Sequence, residues 1–371
     1  MIVGVPREIK PQESRVALTP HGALELKVEG HEVLVETGAG DESGFPDEVY
    51  TLQGAVICDS LKEIYDRSDL VVKVKEPQPE EIALLREDVI MFTYFHFAAD
   101  ENLARNFLAT GATGLAYETL ELPNGTLPLL TPMSEVAGRM AVQEGAKYLE
   151  TRQGGKGILL GGVPGVEPAT VLILGGGVVG ANAAKIASGL GARVYVLDTH
   201  MERLRYLDDT MPQNVVTLYS NRHNILTLLP RTDLLIGAVL IVGSRAPKLV
   251  TRDMLSFMTK GTVIVDVSVD QGGCVETTRP TSHENPIYEV EGVIHYCVAN
   301  MPGAVPFTST VALTNSTLPY ILSIAKNGLA RAARKDPDIY SAINTIGGQV
   351  THKGVASAFD LDYRSPQEVL K

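Results

Sequence analysis

The feature that most constrains the fold is an apolar run, residues 171–174, that leads directly into three glycines with the spacing G-x-G-x-x-G. Such a run predicts a buried strand, and the Ala-rich stretch that follows predicts a helix. Gly175 then permits a tight turn, Gly177 lets a pyrophosphate approach the backbone, and Gly180 lets the helix pack on the sheet. The order of strand, turn and helix predicts a Rossmann-type dinucleotide-binding unit.

A carboxylate follows this motif at the expected distance. The predicted helix ends at Gly191, and a second predicted strand, residues 193–197, ends at Asp198, 18 positions after Gly180. The carboxylate that binds the ribose lies roughly 20 residues after the motif. Because a carboxylate accepts a hydrogen bond from a ribose 2'-hydroxyl and repels a 2'-phosphate, Asp198 favours NAD over NADP. The alternative is a structural glycine turn beside a solvated aspartate.

The length of 371 residues predicts more than one domain, since single cores stop growing at about 250 to 300 residues. Short β-branched runs alternate with helical stretches in both halves of the chain, which is typical of parallel α/β sheets. We predict an α/β protein with two doubly wound Rossmann-like domains separated by a cleft. The expected limits are 1–128 for the first part of a substrate domain, 129–307 for the NAD-binding domain, and 308–371 for a segment returning to the substrate domain.

Composition excludes several classes of protein. A net charge of -12 disfavours nucleic acid and anionic lipid as partners, because both require clustered cations. No apolar run is long enough to span a membrane, and the chain opens on a predicted strand, so we expect a cytoplasmic protein. Three cysteines without a C-x-x-C pair predict buried thiols and no structural zinc site, and we expect no bound metal.

Two lysines, Lys73 and Lys75, interrupt an apolar strand predicted at residues 70–75. Ligands of α/β proteins bind beyond the carboxyl ends of the strands, and Lys75 is nearer that end. Period-two alternation sends both side chains to one face, so the pattern alone does not separate them. The alternative is a pair of lysines on an exposed edge strand, although so apolar a strand rarely carries ammonium groups without a partner.

Three further ionisable residues lie where predicted strands end. His96 follows the apolar strand at residues 89–94, and it is the one histidine of eight in such a position; a core histidine bound to backbone is the alternative. Arg15 follows the first strand, and its planar guanidinium suits bidentate binding of a carboxylate, although a surface arginine is the usual default. Asp270 follows a strand at residues 262–267, where it would face the nicotinamide end of the cofactor.

The sequence resembles the L-alanine dehydrogenase family, and this resemblance extends almost from end to end. The resemblance rests on the motifs Gly4-Val5-Pro6-Arg7-Glu8, Glu13-Ser14-Arg15-Val16, Val72-Lys73-Val74-Lys75-Glu76-Pro77, Thr131-Pro132-Met133-Ser134, Gly161-Gly162-Val163-Pro164-Gly165-Val166, Val269-Asp270-Gln271-Gly272-Gly273-Cys274 and Asn300-Met301-Pro302-Gly303-Ala304-Val305-Pro306.

The resemblance implies a reversible, NAD-dependent oxidative deamination of L-alanine to pyruvate and ammonium by a homohexamer. It implies that Arg15 and Lys75 bind the substrate carboxylate, with Met133 and Asn300 also at the substrate. His96 would be the acid/base, Asp270 would support proton transfer, and Lys75 would belong to the catalytic set. Beyond the glycines of the motif, the implied NAD contacts are Ser134, Val178, Val179, Asp198, Arg203, Ser220, Val239, Leu240, Val267, Ser268, Val269, Asp270, Arg279, Val298, Ala299, Asn300 and Met301.

The nearest alternative is the nucleotide-binding part of a proton-translocating transhydrogenase, which shares the fold and the start of the chain. That class of protein passes hydride between nucleotides and has no equivalents of Lys75 and His96. Their presence here favours the amino-acid dehydrogenase. Saccharopine-type dehydrogenases are a third and weaker resemblance.

Overall fold

The chain divides into two compact units, each with its own sheet. A computed structural model describes residues 1–239 and 246–370. The first unit contains residues 1–133 and the chain from Val305 onward, and the second contains residues 134–304. These limits lie a few residues from those expected from the sequence. The cleft expected between the two domains stays a prediction.

The strands of the described residues are β1 Ile2–Val5, β2 Glu32–Glu36, β3 Val56–Cys58, β4 Leu70–Val72, β5 Ile90–Thr93, β6 Thr113–Ala116, β7 Thr170–Leu174, β8 Arg193–Asp198, β9 Val215–Tyr219, β10 Leu234–Gly237, β11 Val263–Asp266, β12 Ile287–Val290, β13 Val293–Tyr296, β14 Ile343–Ile346 and β15 Gln349–Val350.

The α-helices of the described residues are α1 Pro20–Val28, α2 Asp47–Leu52, α3 Leu61–Arg67, α4 Pro79–Ile82, α5 Glu101–Thr110, α6 Thr131–Tyr148, α7 Val178–Gly189, α8 Met201–Thr210, α9 Arg222–Leu228, α10 Pro306–Asn327, α11 Leu329–Lys335, α12 Asp338–Ala342, α13 Lys353–Phe359 and α14 Pro366–Val369.

The two sheets share one topology. In the first unit the parallel strands run in the order β3-β2-β1-β4-β5-β6, and in the second they run β9-β8-β7-β10-β11-β13. Counted along each unit, both are the doubly wound order 3-2-1-4-5-6. The predicted α/β fold with two Rossmann-like domains is therefore confirmed. In such sheets ligands bind where the strand order reverses, between β1 and β4 and between β7 and β10.

Antiparallel strands extend one edge of each sheet. In the first unit β14 pairs with β6 and β15 pairs with β14, so the end of the chain completes the sheet that the start began. In the second unit β12 pairs with β13. The sequence did not predict β9, β12, β14 or β15; β9 and β12 are only partly buried, and β14 and β15 contain polar residues.

One predicted boundary needs correction. The strand expected at residues 70–75 ends at Val72, so both lysines lie beyond it. Near the end of the chain α10 and α11 are separate helices, because Gly328 adopts φ +72° between them.

The three cysteines are free and buried, as the sequence predicted. Burial raises the pKa of the Cys58 thiol to about 11 and that of Cys297 to about 12. These thiols therefore stay protonated at neutral pH. Among the described residues, no helix combines the length and the apolar character that a membrane crossing demands.

Candidate functional site

The turn between β7 and α7 has the geometry that its three glycines predict. Gly175 has φ +100°, a conformation that L-residues with side chains rarely adopt. A Cβ on Gly180 would lie 1.8 Å from the Gly175 carbonyl oxygen, whereas a Cβ on Gly177 would meet nothing within 4 Å. Helix and turn are therefore in direct contact at Gly180, and open space lies beside Gly177.

The first turn of α7 has no side-chain cap. Its N-cap is Gly177, which has no side chain to bind the N–H groups of that turn. Unpaired amides and the helix dipole favour negative charge at such a position. Val178, at the start of the helix, is 38% exposed although it is apolar.

Asp198 lies beside this turn at the end of β8. Its Oδ2 accepts from the Gly176 amide at 2.7 Å and its Oδ1 accepts from the His200 amide at 2.8 Å. Although burial opposes ionisation, these amides hold the pKa of Asp198 below its ordinary value. Arg203 reaches the same turn and donates from Nε to the Gly176 carbonyl oxygen. The predicted ribose carboxylate and the predicted cation thus meet at the glycine turn.

Further predicted cofactor residues come to the same edge of the second sheet. The Ser220 amide donates to the Asp198 carbonyl oxygen at 2.9 Å, and the Val239 amide lies 3.1 Å from a Cβ built on Gly175. The Val267 amide donates to the Gly237 carbonyl oxygen at 2.9 Å, which joins the exits of β10 and β11. Leu240 lies outside the described residues.

The loop after β11 is organised by Asp266, a residue that the sequence analysis did not select. Its buried carboxylate accepts from the amides of Ser268 (3.0 Å), Cys274 (3.0 Å) and Val275 (3.2 Å), and from the Thr278 hydroxyl (2.8 Å). Burial raises its pKa in spite of these bonds. This network fixes both ends of the loop that carries Asp270, whose side chain is exposed.

The remaining predicted residues of the second unit have their own local contacts. The Arg279 guanidinium lies 4.1 Å from the centre of the Tyr288 ring, and Asn300 has φ +59° with its carbonyl oxygen 3.2 Å from His283 Nε2. Val269, Val298 and Met301 are buried, whereas Ser134 and Ala299 are half-buried. Val269 follows β11, and Val298, Ala299 and Met301 follow β13, so these four residues lie beyond the carboxyl ends of the two strands.

The second unit therefore fits a dinucleotide. The open side of Gly177, the uncapped start of α7 and the Asp198 carboxylate are the features that a dinucleotide's pyrophosphate and ribose require in a Rossmann-type fold. The glycine turn and the start of α7 follow β7 at the strand-order reversal, and Asp198 ends β8, the neighbouring strand on the other side of β7.

In the first unit, Arg15 occupies the corresponding reversal after β1. Its side chain is 2% exposed, and it donates from Nε and Nη2 to the two carboxylate oxygens of Glu13, both at 2.6 Å. Its Nη1 lies 3.0 Å from the Met133 sulfur. Burial disfavours the charge on each partner, but the pair raises the pKa of Arg15 and lowers that of Glu13. One bidentate edge of the guanidinium thus binds Glu13, which the sequence analysis had not assigned a role.

The structure separates the two lysines that follow β4. Lys73 is 1% exposed, and its Nζ lies 3.2 Å from Glu8 and 2.7 Å from Glu81, so it is bound in a buried ion-pair cluster. Lys75 is half-buried, and burial followed by the charge of Arg15 lowers its pKa. Lys75 and Arg15, the pair expected to bind a carboxylate, therefore repel each other electrostatically, and they follow β4 and β1, the two strands at the reversal point.

His96 lies just beyond β5, on the strand next to β4. Its ring is stacked on that of Tyr94 at 5.9 Å and is exposed, whereas Phe95 and Phe97 on either side are buried. The Tyr94 amide donates to the Val74 carbonyl oxygen at 3.2 Å, and the Thr93 hydroxyl donates to that of Lys75 at 2.8 Å. The chain leading to His96 is therefore bonded to the segment that carries Lys75.

The predicted residues divide between the two units. Arg15, Lys75, His96 and Met133 belong to the first, and Asp270, Asn300 and the described cofactor residues belong to the second. Within the described residues, no group of three or more His, Cys, Asp or Glu side chains is placed to bind a metal ion.

A doubly wound sheet with a glycine turn, an uncapped helix start and a carboxylate at the next strand defines the class of Rossmann-type dinucleotide-binding proteins. Family models agree and are more specific. The N-terminal domain of the alanine dehydrogenase/PNT family matches residues 4–137, and its C-terminal domain matches residues 141–353. The chain belongs to the alanine dehydrogenase/PNT family.

Individual relatives extend over the whole chain. An alanine dehydrogenase from Methanococcus maripaludis is 53% identical over 371 residues, which is all of both chains. A solved L-alanine dehydrogenase is 52% identical with a TM-score of 0.94 and covers 97% of this chain and 99% of its own. A transhydrogenase from Sinorhizobium meliloti is more distant, at 25% identity and a TM-score of 0.81 over 95% of this chain and 99% of its own.

Proposed function

We propose that this protein is an NAD-dependent L-alanine dehydrogenase, which converts L-alanine, NAD⁺ and water to pyruvate, ammonium, NADH and a proton, and reverses that reaction. The observation that carries the proposal is the placement of Arg15, Lys75 and His96 after β1, β4 and β5, three consecutive neighbouring strands at the reversal point of one sheet. The residues at the reversal point of the second sheet fit a bound dinucleotide. The full-length similarity to alanine dehydrogenases supports the same conclusion.

The cofactor supplies one chemical capacity, the acceptance of hydride from the α-carbon of alanine. Gly177 and the start of α7 would bind its pyrophosphate, and Asp198 would bind the adenosine ribose. The carboxylate makes NAD the better partner, because a 2'-phosphate would face Asp198 in its ionised form. The loop fixed by Asp266 would hold Val267 to Asp270 beside the nicotinamide.

Arg15 and Lys75 would bind the substrate carboxylate and fix the orientation of the α-carbon. Glu13 binds the Nε–Nη2 edge of Arg15, and the Met133 sulfur lies 3.0 Å from Nη1. The lowered pKa of Lys75 reflects burial beside a second cation, and an incoming carboxylate would relieve that repulsion. Holding a substrate in one orientation lowers the activation barrier by several kcal/mol. Proximity and orientation together can supply roughly 7–11 kcal/mol.

His96 would exchange protons with the oxygen and nitrogen on the reacting carbon. Hydride loss leaves an iminium, water adds to it, and the carbinolamine then expels ammonia. Each stage needs a group that both donates and accepts a proton, which the two ring nitrogens of an imidazole can do. Asp270, on the loop of the second unit, would support this proton transfer.

The test is oxidation of NADH by the purified protein with pyruvate and ammonium. We expect turnover that depends on ammonium and a preference for pyruvate within a panel of 2-oxo acids. We also expect His96→Ala to lower kcat by roughly two to four decades with NADH affinity retained. Turnover without ammonium would indicate a hydroxy-acid dehydrogenase. Hydride transfer between NADH and an NAD analogue, without pyruvate, would indicate the transhydrogenase alternative.

We further propose that the chain acts as a homohexamer in the cytoplasm. The support for both is the resemblance to the alanine dehydrogenase family. Light scattering on the eluted protein should give six times the 39.9 kDa of one chain. A monomeric or dimeric mass at assay concentration would contradict the assembly.

A further inference from the structure

Glu118 contacts the backbone of His96. It lies in the short 3-10 helix Tyr117–Thr119 that follows β6, and its half-buried carboxylate accepts from the His96 amide at 2.6 Å and the Phe95 amide at 3.2 Å. Because β5 and β6 pair in parallel as far as Thr93 and Ala116, the residues that follow them are neighbours. One carboxylate therefore binds two consecutive peptide groups.

The backbone at His96 needs such a restraint. His96 has φ +51° and ψ +36°, the left-handed region in which a residue with a side chain costs energy. Phe95 and Phe97 on either side are anchored in the core, stacked at 4.2 Å and both packed against Phe107. Left-handed backbone at this one position lets both phenylalanines stay buried while the imidazole between them is exposed.

We propose that Glu118 is a positioning residue that holds the His96 peptide in its left-handed conformation and so aims the imidazole for proton transfer. The inference rests on the acid/base role proposed for His96. Glu118 acts through the backbone, and nothing in its role requires contact with substrate or cofactor. Hydrogen bonds from two amides to an ionised carboxylate are stronger than neutral ones, which suits the restraint of a strained residue.

Glu118 and Glu121 both influence the pKa of His352. His352 lies at the N-cap of α13. Burial lowers the pKa of His352, and the negative charges of Glu118 and Glu121 oppose this decrease. Glu121 is exposed and lies three residues further on in the same connection. It therefore provides a matched control, a nearby carboxylate whose removal leaves the His96 peptide untouched.

The experiment measures kcat and KM for Glu118→Ala, Glu118→Gln and the control Glu121→Ala. We expect Glu118→Ala to lower kcat roughly ten-fold or more. Without the restraint, residue 96 can leave the left-handed conformation, and the free-energy cost of that conformation corresponds to about a ten-fold factor in rate. KM for pyruvate and NADH affinity should stay within about three-fold, because the carboxylate site and the second unit are unchanged. Glu118→Gln should recover part of the rate, since its carbonyl oxygen still accepts from the His96 amide, and Glu121→Ala should match the parent.

A double-mutant cycle with His96→Ala separates positioning from an independent contribution. If Glu118 acts through His96, adding Glu118→Ala to His96→Ala should lower the rate little further. A crystal structure of Glu118→Ala should show residue 96 outside the left-handed region. Additive rate losses, or an unchanged φ at His96 with a reduced kcat, would overturn the positioning role. If His96→Ala itself were fully active, the proposed function would fail instead.

Discussion

The three glycines of the nucleotide turn have different surroundings, and replacing each with alanine should therefore have different effects. In Gly180→Ala the new Cβ would lie 1.8 Å from the Gly175 carbonyl oxygen, and real Cβ atoms essentially never come within 3.0 Å of a neighbour. The backbone of the turn and the backbone of α7 must therefore move apart by at least 1.2 Å, the difference between these two distances. We expect a loss of about 1–3 kcal/mol in the free energy of unfolding, the usual cost of overpacking.

Gly177→Ala tests binding without that strain. A Cβ there would meet nothing within 4 Å, and the φ of −63° is ordinary for alanine. Stability should stay within about 0.5 kcal/mol of the parent, as for surface changes away from special features. NADH affinity should nevertheless fall ten-fold or more, because the methyl group occupies the space in which the pyrophosphate would approach.

Gly189→Ala is the matched control on the same helix. Its Cβ would also meet nothing within 4 Å, and alanine stabilises a helix relative to glycine by roughly 0.5–1 kcal/mol. We expect a small rise in melting temperature and unchanged NADH binding. Calorimetry and NADH fluorescence titration would measure the series. Tight binding by Gly177→Ala would refute the assignment of this turn to the pyrophosphate.

Further predictions concern the charged groups of the two units. Arg15→Lys should chiefly raise KM for pyruvate in steady-state assays, because an ammonium lacks the planar guanidinium group that could contact both Glu13 and a substrate carboxylate. An unchanged KM would show that Arg15 does not bind the substrate. Asp198→Ala should raise the ratio of NADP to NAD activity, and a constant ratio would contradict its ribose contact. Glu13→Gln should lower unfolding free energy by about 3 kcal/mol at pH 7, because it leaves Arg15 buried without its countercharge. The pKa of Glu13 is lower in the folded protein than its ordinary value of 4.5, so the stability difference between parent and variant should have its full size above pH 4.5 and shrink below it. Denaturant titrations at several pH values would measure this difference, and a difference independent of pH would refute the ion pair.

Much of the nucleotide-binding unit could be predicted from sequence because its determinants are local. Gly175, Gly177 and Gly180 act within one turn, and Asp198 follows at the end of the next strand. The strands predicted at residues 171–174 and 193–197 agree with β7 and β8 to within one residue at each end, since an apolar run bounded by turn residues has few alternatives. A strand such as β9, which is only partly buried, carries a weaker signal.

The contacts that support the substrate groups could not be predicted, because their partners are distant in sequence or lack a distinctive pattern. Glu118 is 22 residues from His96, and only the parallel pairing of β5 and β6 brings them together. The distinction between Lys73 and Lys75 likewise depends on Glu81 and Glu8, which alternation along a strand does not reveal. Glu13 is the exception, since its position two residues before Arg15 was a signal that could have been used.

The route of the chain through the first sheet has a consequence for biosynthesis. Six strands of that sheet are made first, yet β14 and β15, which cover its β6 edge, come from residues 343–350. The second unit, residues 134–304, is contiguous and leaves the ribosome before they do. The half that is translated first is thus completed last, and until then β6 presents an open edge to which other strands can add. Truncations near the carboxyl terminus should therefore cause aggregation of the amino-terminal half while the nucleotide-binding half still folds.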